Sequence, residues 1–188
     1  MKNKVLLIIF LTSILIYLGY DQYTAIYSDK GILNHVIQRD GYSLALKSER
    51  LPIEIFIKPE WIAFGPDERK ELKIKVFETN HTRIYLDQVW NRGNDIYFSL
   101  HTTFKMNAAG GDFLYNGIFN EDGTFTTISS FDDIVLYDIN MDNIGVGQTG
   151  NGPNADFSFG IEPQNQKLIQ EGIYVKYSGF NLYEYAKH

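Results

Sequence analysis

From residue 51 onward, apolar and polar side chains alternate with a period of two. Ile53, Ile55 and Ile57 alternate with Glu54, Phe56 and Lys58, and Leu72, Ile74 and Val76 alternate with Lys73, Lys75 and Phe77. Such alternation turns one set toward a packed face and the other toward water, which predicts antiparallel strands. Gly65-Pro66-Asp67 supplies the turn between these two. Further strands are predicted over 84–90, 95–105, 113–119, 124–128, 134–139, 157–161, 173–177 and 180–185, with a weaker one at 143–147. Asn91-Arg92-Gly93-Asn94 and Asn120-Glu121-Asp122-Gly123 read as hairpin turns, and 107–111 and 148–154 as Gly/Asn-rich loops.

The pattern changes before residue 51. Over 22–39, Ile32, Leu33, Val36 and Ile37 fall on one helical face, with Ser28 as an N-cap and Gly41 as a stop. Asp40-Gly41 reads equally well as a hairpin turn between Val36-Ile37 and the run 42–46. Earlier still, residues 5–20 form a run without charge behind Lys2 and Lys4. Val5, Leu6, Leu7, Ile8, Ile9, Phe10, Leu11, Ile14, Leu15, Ile16 and Leu18 make it strongly apolar. The expected organisation is therefore a signal-anchor or transmembrane segment (1–20), a juxtamembrane segment holding a short helix or first hairpin (21–50), and one extracytoplasmic β domain (51–188). Turn signals every ~8–12 residues fit an all-β fold, an antiparallel β-sandwich of immunoglobulin-like or jelly-roll-like type behind one hydrophobic helix. The strand, turn, strand opening around Gly65-Pro66-Asp67 resembles extracellular immunoglobulin-like modules. That resemblance is one of architecture and implies no activity.

Lysines ahead of the apolar run and Asp21 after it favour an orientation with the first residues inside and the domain outside. Sixteen helical residues span roughly 24 Å, a little under the ~30 Å hydrocarbon core. Lysine snorkelling and local thinning cover the difference. Tyr23-Thr24-Ala25 is a poor cleavage site, so a retained anchor is favoured over a removed signal, which would give a secreted domain.

The chain has no cysteine, which excludes disulfides, thiolate metal sites, a cysteine nucleophile and a lipid-modified cysteine. Stability must come from the core, and the 13 Tyr, 13 Phe and 2 Trp suit strand packing. A sharper reading of the aromatics is as platforms for sugar rings. Charge is unevenly distributed. Segment 21–105 is neutral, whereas 106–166 has no Lys or Arg and nine acids: Asp112, Glu121, Asp122, Asp132, Asp133, Asp138, Asp142, Asp156 and Glu162. That field repels nucleic acid and anionic lipid and attracts cationic partners or Ca²⁺. Acids that merely keep the domain soluble are the plainer reading.

Candidate chemistry is thin. Gly145-Val146-Gly147-Gln148-Thr149-Gly150 spells a phosphate-loop pattern, but Asn151-Gly152-Pro153 cannot open the helix that such a loop needs. Asp138-Ile139-Asn140-Met141-Asp142 opens like a calcium loop, yet Asn143 and Thr149 stand where Gly and Glu belong. A looser Ca²⁺ site would draw on Asp132, Asp133, Asp138, Asn140 and Asp142. The histidines are His35, His81, His101 and His188, without the spacing of a helical zinc pair, although His81 and His101 could converge in space. Glu121-Asp122 and Asp132-Asp133 could serve a glycoside-type hydrolase. No residue is assigned a catalytic role. The expected function is a membrane-tethered, non-enzymatic module binding a protein or cell-envelope polymer. The alternatives are a hydrolase of the acidic half and a Ca²⁺-stabilised surface domain.

Overall fold

The computed structural model describes residues 2–122, 124–127 and 130–188, without the side chains of 2–5, 7, 8 and 131. The expected turn residue Gly123, and Ile128 and Ser129, lie outside the described residues, as do the side chains of Val5, Leu7 and Ile8.

Two helices lead. α1 (Lys2–Tyr27) carries the apolar run, and Leu6, Ile9, Phe10, Leu11, Leu15, Ile16 and Leu18 are all exposed. Among the described residues no helix is long and apolar enough to cross a membrane. α2 (Asp29–Gln38) takes the helical alternative for this region. The Ser28 hydroxyl accepts from the Gly31 amide at 3.0 Å, and Ile32, Leu33 and Val36 are buried. The αL residue that ends α2 is Arg39, not glycine. Gly31 is required where it stands, because the Ala25 backbone occupies the place of a side chain.

Among the described residues, twelve strands follow: β1 (Tyr42–Ile57), β2 (Arg69–Thr79), β3 (Thr82–Asn91), β4 (Ile96–Phe104), β5 (Gly110–Tyr115), β6 (Gly117–Phe119), β7 (Phe125–Thr127), β8 (Ile134–Tyr137), β9 (Asn143–Ile144), β10 (Thr149–Asn151), β11 (Phe157–Ile161) and β12 (Ile173–Lys187). All pairings are antiparallel. One five-stranded sheet runs β1-β12-β8-β9, with β5 pairing the far half of β12. The other runs β10-β11-β4-β3-β2, and β6-β7 form a separate hairpin. The predicted alternation is visible in β1, where Ile53, Ile55 and Ile57 are buried. β1 also begins at Tyr42, before the alternation becomes regular, because bulges between Leu46 and Ile53 break its period. Parts of both expected loops become edge strands, β5 and β10.

The five-stranded sheets share one aromatic core. Phe157 on β11 stacks on Tyr177 of β12 with ring centroids 4.3 Å apart and planes at 7°. Phe180 meets both rings edge-on. Phe104 on β4 meets Phe113 on β5 the same way. The aromatics thus serve packing between the sheets first.

Candidate functional site

The second sheet turns its outer face to solvent. Register aligns its outward side chains in rows across the strands. His101 on β4 lies opposite Tyr85 on β3, which lies opposite Lys75 on β2. A second row runs Ser158, Ser99, Gln88, Glu71, and a third Gly160, Tyr97, Trp90, Arg69. In the third row Arg92 covers Tyr97 at 4.5 Å and Arg69 covers Trp90 at 5.7 Å, so these rings are capped by the protein's own cations.

Two bulges meet between the first and second rows. Leu72 and Lys73 on β2 together oppose Asp87, and Asp87 is in turn the extra residue of β3 against β4. A bulge re-aims the side chains of the strand that holds it. Here Lys73 and Asp87 are delivered to one open groove of ≈ 510 Å³, lined also by Tyr85, His101 and Thr103. Lys73 takes φ 52°, a left-handed conformation unusual for a long side chain inside a strand.

Electrostatics set this pair apart. Elsewhere in β2 and β3 the charges are matched: Arg69 with Glu71, Lys70 with Glu68, and Lys75 and Arg83 with Glu78. Hydrogen bonds from Lys75 and Arg83 hold the Glu78 carboxyl down at about 2. Among the described residues, Lys73 and Asp87 alone on these two strands lack an ion-pair partner.

His101 closes the groove and is oriented from behind. Its Nδ1 lies 3.2 Å from Asp156 Oδ2, and Asp156 Oδ1 accepts the Thr102 amide at 2.7 Å. The acid fixes the ring, a support common to ligand-binding and acid–base histidines. His81 does not join it. Its Nδ1 lies 3.7 Å from Asp112, and register puts it four residues from Tyr85, about 13 Å along the ladder. His35 pairs with Asp40 at 2.8 Å on the helix side of the fold.

The structure does not assemble the expected calcium ligands. Asp132 and Asp133 precede β8, whereas Asp138, Asn140 and Asp142 follow it, about 16 Å further along an extended chain. Asp133 is buried, accepts the Ser130 amide at 2.7 Å and pairs with Arg50. Asp138 Oδ1 accepts the amides of Asn140 at 2.8 Å and Asp142 at 2.9 Å, closing its own turn. These oxygens are spent on backbone donors, and Asp132, Asn140 and Asp142 are exposed. Among the described residues no group of three or more His, Cys, Asp or Glu could hold a metal. Of the other acids, Asp112 faces His81, Asp122 bonds Thr124, Asp156 bonds His101, and Glu162 bonds Gln164. The acidic half is thus spread over separate turns. Gly145 to Gly150 leads into β10 and no helix follows it, so the phosphate-loop pattern stays a loop.

Sequence reasoning missed the groove because Lys73 and Asp87 read as ordinary wet-face residues of alternating strands. Their distinction comes from two local slips of register, which no motif announces. No family model, curated protein or solved structure matches the chain.

Proposed function

We propose that this chain is a membrane-tethered binding module, with α1 as the tether and the outer face of the second sheet as the contact surface. The observation that carries the binding half is the groove between paired bulges, where Lys73 and Asp87 stand unmatched on an otherwise charge-matched face. Rigid sheet positions hold a ligand more precisely than mobile loops do. The β domain fits an antiparallel β-sandwich, since its two larger sheets bury one aromatic core between them.

The tether reading rests on α1. A helix that is apolar all round and exposed needs cover from lipid or protein. Lys2 and Lys4 on one flank and Asp21 on the other favour placing the β domain outside the cytoplasm. The ligand is then a component of the cell envelope or its surroundings, protein or polymer.

A second reading, hydrolysis, is favoured by one observation: the His101–Asp156 pair borders the groove. The binding reading predicts that the full chain releases no soluble fragments from cell-wall polymer, and release abolished by His101→Gln would favour hydrolysis instead.

Photo-crosslinking tests the binding reading. A benzophenone side chain replaces Tyr85 in the groove or Leu168 at the opposite end of the sheet, in the full membrane-held chain. Adducts from Tyr85 and none from Leu168 are expected. Equal yields at both positions would remove the groove as the contact surface.

A further inference from the structure

We propose that the groove receives a small zwitterion of amino-acid type, with its carboxylate on Lys73 and its ammonium on Asp87. The proposal rests on the binding reading above and names the chemistry that the site recognises. Three observations carry it. First, the two side chains oppose each other across one rung of the β2–β3 ladder, so a single small molecule can reach both. Second, they carry opposite charges yet form no ion pair with each other or with any other described residue, although six neighbouring charges on and beside these strands are all matched. A lone cation would be repelled by Lys73 and a lone anion by Asp87, whereas a dipolar ligand meets both demands.

Third, the rest of the groove suits such a ligand. Tyr85 offers an aromatic face, Thr103 a hydroxyl, and His101 a ring held at Nδ1 by Asp156, which leaves its other nitrogen free to face a ligand. The ≈ 510 Å³ volume lies in the range of small-molecule sites and admits an amino acid or the end of a peptide. The backbone cost at Lys73 has a reason on this account. Its φ of 52° is the geometry that points the ammonium into the groove in place of continuing the strand.

Amide shift mapping of the isotope-labelled full chain in detergent tests the proposal, with L-alanine, L-alanyl-L-alanine, N-acetyl-L-alanine and L-alaninamide as probes. Alanine and alanylalanine are expected to shift resonances of Lys73, Tyr85, Asp87, His101 and Thr103. The acetylated probe lacks the ammonium and the amide lacks the carboxylate, so each is expected to bind about tenfold more weakly or worse. Equal affinity for alanine and alanylalanine assigns a free amino acid, and tenfold tighter alanylalanine assigns a peptide terminus. Lys73→Asn and Asp87→Asn are each expected to lose about tenfold in affinity. The exchanged pair Lys73→Asp with Asp87→Lys is expected to recover most of it by binding the zwitterion reversed, a rescue that a purely structural role does not provide.

Capped probes that bind as tightly as alanine, or no shift at the groove with any probe at roughly 20 mM, would overturn the proposal. If zwitterions fail while Tyr85 still gives its position-specific adduct, the ligand class falls and the binding reading stands.

Discussion

Lys73 and Asp87 stand opposite each other where two successive ladders slip by one residue. The β2–β3 register jumps between Glu71 and Ile74, and the β3–β4 register jumps between Leu86 and Gln88. One slip alone would bend an edge strand. Two at the same rung open a groove and aim two opposite charges into it. Three residues further on, the same strands return to simple alternation, with Ile84 fully buried and Lys75 and Arg83 matched to Glu78.

The other sheet has its own interruption, and it is held electrostatically. Arg50 sits in a bulge of β1 at φ 53° and reaches past β12 to Asp133, whose side chain is 3% exposed against 53% for Arg50. Asp133 also closes the capping box with Ser130. Arg50→Ala leaves a buried carboxylate with backbone partners only. The expected loss is about 2 kcal/mol, below the usual cost of breaking a buried pair because Arg50 is half in water. Arg50→Gly relieves the backbone yet is expected to destabilise as well, which the urea midpoint of each variant checks.

Part of this organisation is legible in the residues and part is not. Period-two alternation marks β1 at Ile53, Ile55 and Ile57, because burial of one face dictates it. Ser28 marks the start of α2 for an equally local reason, a hydroxyl that satisfies a free amide. Asp132 to Asp142 misled as a group. Closeness in sequence does not survive a strand, and β8 carries the two ends of this stretch apart. Bulges are invisible for the opposite reason, since Lys73 and Asp87 are distant in sequence and acquire meaning only from cross-strand register.

Core tyrosines should govern behaviour in alkali. Burial pushes the Tyr177 hydroxyl up from an ordinary value near 10.0 to about 12, and raises Tyr115, Tyr183 and Tyr185 as well. The unfolded chain loses these protons first, so the folded state binds more protons over that window. Their contribution is fully present below pH 10.0 and is lost as pH rises toward about 12. Absorbance titration should show a late-ionising tyrosine class that vanishes on unfolding, and Tyr177→Phe should reduce its amplitude.

The Phe157–Tyr177 stack joins the sheets at 4.3 Å and should be among the costliest contacts to remove. Phe157→Ala deletes a ring that is 2% exposed and leaves a void between sheets. A loss of about 3–5 kcal/mol is expected in equilibrium unfolding. A loss under about 1 kcal/mol would mean that the sheets are not held together here.

If Lys73 and Asp87 are kept for a ligand, the fold does not need them. Lys73→Gly removes a left-handed non-glycine residue that costs roughly 1–2 kcal/mol, partly offset by the freedom that glycine gains on unfolding. Asp87→Asn removes a charge with no ion-pair partner among the described residues. The most direct measurement is the melting temperature of the Lys73→Gly, Asp87→Asn double variant beside the unaltered full chain. The groove account predicts an equal value or a rise of up to ~4 °C. A fall of ~5 °C or more would contradict it, since the two charges would then be holding the sheet together.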